Sequence, residues 1–234
     1  MNAEDENSGR WVGKRLNHYI SAHLALGMDA STALLQLLAI IGIALMTPGP
    51  NPLTCFAHSG MFGKKSNTPL IIGMATGIIA LELTVGLVID SLSENTTALV
   101  ALHWIGMLFL AAMAIGMLRF NPASIQVEET TSKLGFKTGI AMQFANGKEW
   151  AFIILIMSQY IEPLGGGLTG ILVIISVTVS ICVAALFIWT YFGDKASNLF
   201  SDPVKGSRVF KICGILLSLL WVAFLLRGPA VYPS

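Results

Sequence analysis

Long apolar runs, broken at intervals by short polar clusters, set the organisation of this chain. No charged residue occurs over residues 30–57 or 163–193, and each run exceeds the roughly 20 residues that carry a helix across a bilayer core. The pattern predicts six apolar spans, at residues 30–46, 69–89, 97–118, 136–160, 168–192 and 209–226. Two of them are irregular. The first stops at Thr47-Pro48-Gly49-Pro50-Asn51-Pro52, where each proline removes an N–H donor and restricts the residue before it. Residues 53–62 stay apolar, so the chain has not left the membrane there. The fourth span carries Asn146-Gly147-Lys148-Glu149 in its middle. Glu82 interrupts the second span, and Gly165-Gly166-Gly167 forms a hinge before the fifth.

Unwound backbone at membrane depth is tolerated only against protein or a water-filled cavity, which makes both breaks candidate sites. Each break belongs to the first span of a three-span half, and three crossings per half invert the second half relative to the first. The predicted fold class is therefore an all-α membrane protein. Its six transmembrane helices form two inverted three-helix repeats, with helices one and four broken. Irregular segments at corresponding places in two halves point to a transport site near the midplane.

Composition agrees with this pattern. The chain is 54% hydrophobic and 12% charged, about half the charged fraction of a soluble domain. A net charge of +1 gives no basic bias toward nucleic acid. Charge placement sets the orientation. Lys64 and Lys65, then Arg119, Lys133 and Lys137, then Lys195, Lys205 and Arg208 mark three positive connections. The two connections between them carry Asp90, Glu94 and Glu162. Positive loops face the cytoplasm, so the expectation is a multi-pass protein of the cytoplasmic membrane with both termini outside. Arg10, Lys14 and Arg15 oppose that orientation. Residues 1–29 are expected to be an N-terminal extension, either an interfacial amphipathic segment or a stretch preceding a native start at Met28. Residues 30–234 form the six-helix transporter domain. Cys55, Cys182 and Cys213 are far apart and read as small packing groups.

Thr47-Pro48-Gly49-Pro50-Asn51 at the end of a first span resembles the signature of the LysE/RhtB family of amino-acid exporters. Gly63-Lys64-Lys65 follows as a basic glycine-containing loop, then Gly73, Gly77 and Gly86 space the second span. Asn146-Gly147-Lys148 before Trp150 and Phe152 is similar to the Asn-Pro-Lys motif of the family's fourth span, with glycine in place of proline. The resemblance runs from about Asp29 to the C-terminus. It implies a secondary transporter exporting an amino acid or similar small polar solute.

An amino acid presents a carboxylate and an ammonium, and both need partners where water is scarce. Backbone N–H groups around Gly49 and Gly147, together with Lys148, are candidates for the carboxylate. Asn51, Asn146, freed carbonyls and Glu82 are candidates for the ammonium. Pro48, Gly49, Pro50, Asn51, Asn146, Gly147 and Lys148 are thus the candidate substrate-binding residues, and Glu82 the candidate for ion coupling. A charge within a span costs about 2.5–3.5 kcal/mol on insertion scales, so Glu82 and Lys148 need a reason to be there; mutual pairing is the alternative reason. His58 reads as loop-proximal and His103 as close to the outer surface.

The sequence has no glycine-rich nucleotide loop and no soluble ATPase segment, which leaves an ion gradient, of protons by expectation, as the energy source. No cofactor and no metal site is expected, because the spans hold too few His, Cys and carboxylate groups. Ser, His and Asp show no spacing of a nucleophile with its base, so an enzyme is not expected. A metal-ion or other-solute exporter, a membrane enzyme and a non-transporting scaffold are the alternatives. The expected partners are a small-molecule substrate and membrane lipid. Gly73-x-x-x-Gly77 serves helix packing more often than dimerisation, and a homodimer stays open.

Overall fold

In an apolar surrounding every peptide N–H and C=O needs a partner within its own segment. Runs without proline or polar breaks supply it by winding into helix. The computed structural model describes residues 28–47, 49–119, 132–201 and 203–229. Among these residues the regular structure is helical, with no strand. The order is α1 (Ala30–Met46), α2 (Pro50–Phe62), a 3-10 turn (Lys64–Ser66), α3 (Asn67–Ser91), α4 (Thr96–Arg119), α5 (Phe136–Ala145), α6 (Gly147–Tyr160), α7 (Gly167–Ser201) and α8 (Pro203–Arg227). The expected N-terminal extension, apart from Met28 and Asp29, lies outside the described residues, as does Pro48.

Asp29 caps α1, accepting the Thr32 amide at 2.7 Å and the Thr32 hydroxyl at 3.0 Å. The Ser31 hydroxyl, followed by these Thr32 donors, holds its carboxyl down at about 2. Among the described residues four helical stretches are long and apolar enough to cross a membrane: Lys64–Ser91, Thr96–Arg119, Gly167–Phe192 and Phe210–Arg227. The α1–α2 pair, bent by 49° at the proline motif, makes a fifth if taken as one span. The remaining expected crossing, residues 136–160, is built as two short helices of 10 and 14 residues. At 1.5 Å per residue neither alone covers a ~30 Å hydrocarbon core. The cause is Asn146, whose φ of −87° and ψ of 92° leave the helical region.

The outward surface is apolar, with Leu35, Ile72, Leu108, Ile188, Leu219 and Leu226 all exposed. In water this would be an aggregating surface; against lipid tails it is the expected one. Inside, Leu37, Leu81, Leu110, Leu155, Ile171 and Leu217 pack into one core. Helix α3 lies on α5 by direct backbone contact. A Cβ at Gly73 would fall 2.0 Å from Phe136 O, and one at Gly139 would fall 2.3 Å from Leu70 O. A Cβ at Gly77 would meet the Gln143 side chain at 2.8 Å. Gly73 and Gly77 are therefore used within the chain, as helix packing.

Polar contacts pin the two ends of the bundle. At one end Arg227 donates to Gln36 Oε1 at 2.7 Å and to the Tyr160 hydroxyl at 2.8 Å, and Gln159 donates to Gly228 O at 3.1 Å. At the other end His58 Nε2 accepts the Leu134 amide at 2.9 Å, and Lys64 Nζ lies 4.0 Å from the Tyr191 ring centre. Thus α1 starts where α6 and α8 finish, and α2 finishes where α5 starts.

Candidate functional site

The first break is set by missing donors. Were α1 to continue, the residue at 48 would donate to the carbonyl of Ala44, but proline has no N–H to give. Thr47 is extended, with ψ of 114°, and its hydroxyl turns back to donate to Ala44 O at 2.6 Å. A charge from more than 100 residues downstream completes the end. Lys148 Nζ donates to Ala44 O at 2.6 Å, to Thr47 O at 2.9 Å and to Thr47 Oγ1 at 2.6 Å. A lysine ammonium has three N–H donors, so these contacts use all of them. They also place a positive charge at a helix C-terminus, where the macrodipole favours it. Gly49 permits this approach, since a Cβ there would sit 3.2 Å from Lys148 Cδ.

The second break is joined to the first by side chains. Asn146 caps α6, its Oδ1 accepting the Lys148 amide at 3.2 Å. Asn51, one residue into α2, donates to Gln143 Oε1 at 2.9 Å, which ties α2 to the last turn of α5. The Glu149 carboxylate receives the Asn51 amide at 3.4 Å and the Asn146 amide at 3.5 Å. Both contacts are at the long edge of hydrogen bonding. Asn51 is 3% exposed, and its Oδ1 has no hydrogen-bond partner.

Between the breaks lies a cavity that Gly49, Asn51, Asn146, Lys148, Glu149 and Cys182 line. A second cavity adjoins it across the same Lys148, Glu149 and Cys182 and is lined by Glu82 and Thr178, with about 50 Å³ open to water-sized groups. A water needs roughly 10–15 Å³ counted in this way, so the second cavity holds a few waters. Glu82 is 4% exposed and accepts the Thr178 hydroxyl at 2.7 Å. Its observed partner is thus Thr178 on α7, with the second cavity between it and Lys148.

Of the sequence candidates, Gly49, Asn51, Asn146 and Lys148 line one cavity and Glu82 lines the adjoining one. Pro50 and Gly147 sit at the breaks but are exposed and are not among the lining residues. Sequence reasoning passed over Gln143 and Thr178, took Thr47 only as part of the proline motif, and expected one of Lys148 and Glu149 to be functional while the other reached a cavity or paired elsewhere; both line the cavity. Glu149 was visible as a charge in an apolar run. Thr47 could have been found by asking which donor replaces the N–H that Pro48 lacks. His58 lies beside the connections, as Leu134 and Ser66 show, but is buried there: its Nδ1 donates to Asn67 Oδ1, and Asn67 in turn donates to Cys55 O and to Thr190 Oγ1. His103 is also buried, in contact with Gln159 Nε2 at 3.2 Å.

Apolar helices turned outward around a polar centre define an integral, multi-pass membrane protein. More particularly, the chain belongs to the LysE type translocator family, whose model matches residues 42–228. It is a transporter by that membership. The chain is also similar to an uncharacterized membrane protein of Vibrio cholerae serotype O1. The two are 23% identical over 203 residues, covering 82% of this chain and 98% of the relative. No solved structure matches the chain.

Proposed function

We propose that this transporter exports an amino acid or a related small polar solute across the cytoplasmic membrane, driven by a proton gradient. The observation that carries the reading is that both helix breaks open onto one cavity, lined by Asn51, Asn146, Lys148 and Glu149, and share one clamping residue, Lys148. In this reading residues 136–160 cross the membrane as one broken span, giving six crossings. The halves are α1–α4 and α5–α8, each opening on its broken pair. The end that carries His58, Lys64 and Leu134 faces the cytoplasm, as the positive connections require.

Gly49, Asn51, Asn146 and Lys148 frame the substrate position, with Pro50 and Gly147 at the breaks and Pro48 lacking the N–H that would carry α1 on. Lys148 acts as the joint between the breaks, since its donors are taken. The substrate carboxylate then falls to the Asn51 and Gly147 amides, because Pro50 and Pro52 have no N–H and the Leu53, Lys148 and Glu149 amides already donate to Gly49 O, Asn146 Oδ1 and Asn146 O. Alternating access would come from rocking one half against the other around this cavity.

Glu82 suits proton coupling because Thr178 accommodates both of its protonation states. The Thr178 hydroxyl has one proton and three acceptors in reach: Glu82 Oε2 at 2.7 Å, Ile174 O at 2.9 Å and Ile175 O at 3.2 Å. It donates to an ionised Glu82. It can instead donate along its own helix and accept the proton of a neutral Glu82. The deciding experiment loads vesicles containing the protein with labelled amino acids and follows efflux under an imposed proton gradient. Gradient-dependent efflux of at least one amino acid is expected. Efflux no faster than from protein-free vesicles for every amino acid would refute the reading.

A further inference from the structure

Among its side chains the cavity offers a ligand acceptors rather than donors. Lys148 is saturated by Ala44 O, Thr47 O and Thr47 Oγ1, and the Asn51 amide is already given to Gln143 and Glu149. What remains is the Glu149 carboxylate, held by two contacts of 3.4 and 3.5 Å, and Asn51 Oδ1, buried without a donor. Both belong to residues lining the same space. A buried acceptor without a donor is costly, so this pair is completed when a group rich in N–H donors arrives.

We propose that Glu149 and Asn51 Oδ1 form the subsite for the substrate's ammonium group, and that Glu149 exchanges this ammonium for a proton. The proposal rests on the amino-acid export reading above. In the exchange the Glu149 carboxylic acid gives its proton to cavity water before the ammonium docks. After the ammonium leaves, the carboxylate takes a proton back from water. One carboxylate cannot hold both at once, so movement of one is tied to movement of the other. The other ionisable groups lining the two cavities are Lys148 beside it on α6, Glu82 on α3 and Cys182 on α7. Among the lining residues α1, α2 and α5 contribute none. Glu82, which lines the adjoining cavity that Glu149 shares, is placed to pass the proton on.

The test uses the full chain purified in detergent and dicyclohexylcarbodiimide, which adds to protonated carboxyl groups in apolar surroundings. Peptide mass spectrometry then reads modification of Glu149, with Glu82 as an internal comparison. Each common amino acid is added in turn, alongside its N-acetylated counterpart, which lacks the ammonium. At least one free amino acid is expected to slow modification of Glu149 by about tenfold, the scale of one charge-assisted contact, while its acetylated counterpart does not. Equal modification of Glu149 with every free and acetylated pair would overturn the subsite.

In vesicles Glu149→Gln, which retains the acceptor for Asn51, is expected to lower export at least about tenfold, and Glu149→Asp to restore part of it. Export by Glu149→Gln equal to that of the unaltered protein overturns the subsite but leaves the export reading intact. If the unaltered protein exports no amino acid, the export reading fails, and the modification experiment still decides the subsite because it needs no transport.

Discussion

Replacing Lys148 by methionine keeps the length of the side chain and removes its three N–H donors. The structure says what is lost: contacts of 2.6, 2.9 and 2.6 Å to Ala44 O, Thr47 O and Thr47 Oγ1. A hydrogen bond to a charged group is worth about 1.5–3 kcal/mol. These three share two residues, and Ala44 O keeps its bond from the Thr47 hydroxyl, so the expected net loss is about 2–4 kcal/mol. For a chain of this size each kcal/mol moves the melting midpoint by about 2–4 °C, which gives a fall of roughly 4–16 °C. A thiol-reactive fluorophore reads the transition, because Cys55 and Cys213 are buried until the fold opens. The partner change is Thr47→Val, which deletes the hydroxyl alone and should cost about 1 kcal/mol. If Lys148 acts through this clamp, the double variant should melt close to Lys148→Met alone, since residues in one network do not add. Full additivity of the two changes would refute the clamp. Export per unit of folded Lys148→Met protein should be abolished, because the joint between the breaks is gone.

Four other outcomes are expected. Gly139→Ala should melt earlier, by the ~1–3 kcal/mol of an overpacked contact, because its Cβ would fall 2.3 Å from a backbone oxygen. Gly147→Ala, whose Cβ meets nothing within 4 Å, should leave the same thermal transition unchanged. Glu82→Gln keeps an acceptor for Thr178 but cannot release a proton. It should abolish gradient-driven efflux without moving the melting midpoint, and efflux that survives would remove Glu82 from coupling. Reporter fusions after Lys64, Arg119 and Lys205 should read cytoplasmic and those after Glu94 and Pro163 external; a cytoplasmic reading at Glu94 would overturn the orientation.

The helices were legible because the signals that make them are local. Proline removes a donor, asparagine caps a helix, and charge-free runs longer than a bilayer core admit few structures other than helix. The two breaks were legible for the same reason. Their partnership was not. Nothing adjacent to Lys148 says that its ammonium will find the carbonyl of Ala44, 104 positions earlier. Only the deficit was written locally, in the N–H that Pro48 lacks. Gln143 and Thr178 carried even less signal, since a glutamine or threonine inside an apolar run can satisfy itself against its own helix. Gln143 in fact also donates to Gly139 O at 3.4 Å. His58 was underestimated because its partners, Asn67 and Leu134, come from segments that meet only when α2, α3 and α5 are assembled.

One residue thus touches both breaks by different atoms. The Lys148 amide is capped by Asn146 at the start of α6, while its ammonium closes the end of α1. A rotation of α6 that releases the cap also drags the ammonium from Ala44 and Thr47. A straightening of α1 expels the ammonium and pulls on the first turn of α6. The two breaks therefore cannot change independently without leaving the Lys148 ammonium unpaired, which costs several kcal/mol. A transporter whose halves must move in turn needs such a constraint, because a state with both breaks slack would leak. The neighbouring carboxylate is what allows the constraint to be reset. Glu149 follows Lys148 directly and shares its cavity, so an ammonium arriving at Glu149 changes the charge felt by the clamp. Under the proposed exchange, binding and opening are parts of one electrostatic event, and the order of steps follows from which cation, proton or ammonium, occupies that carboxylate.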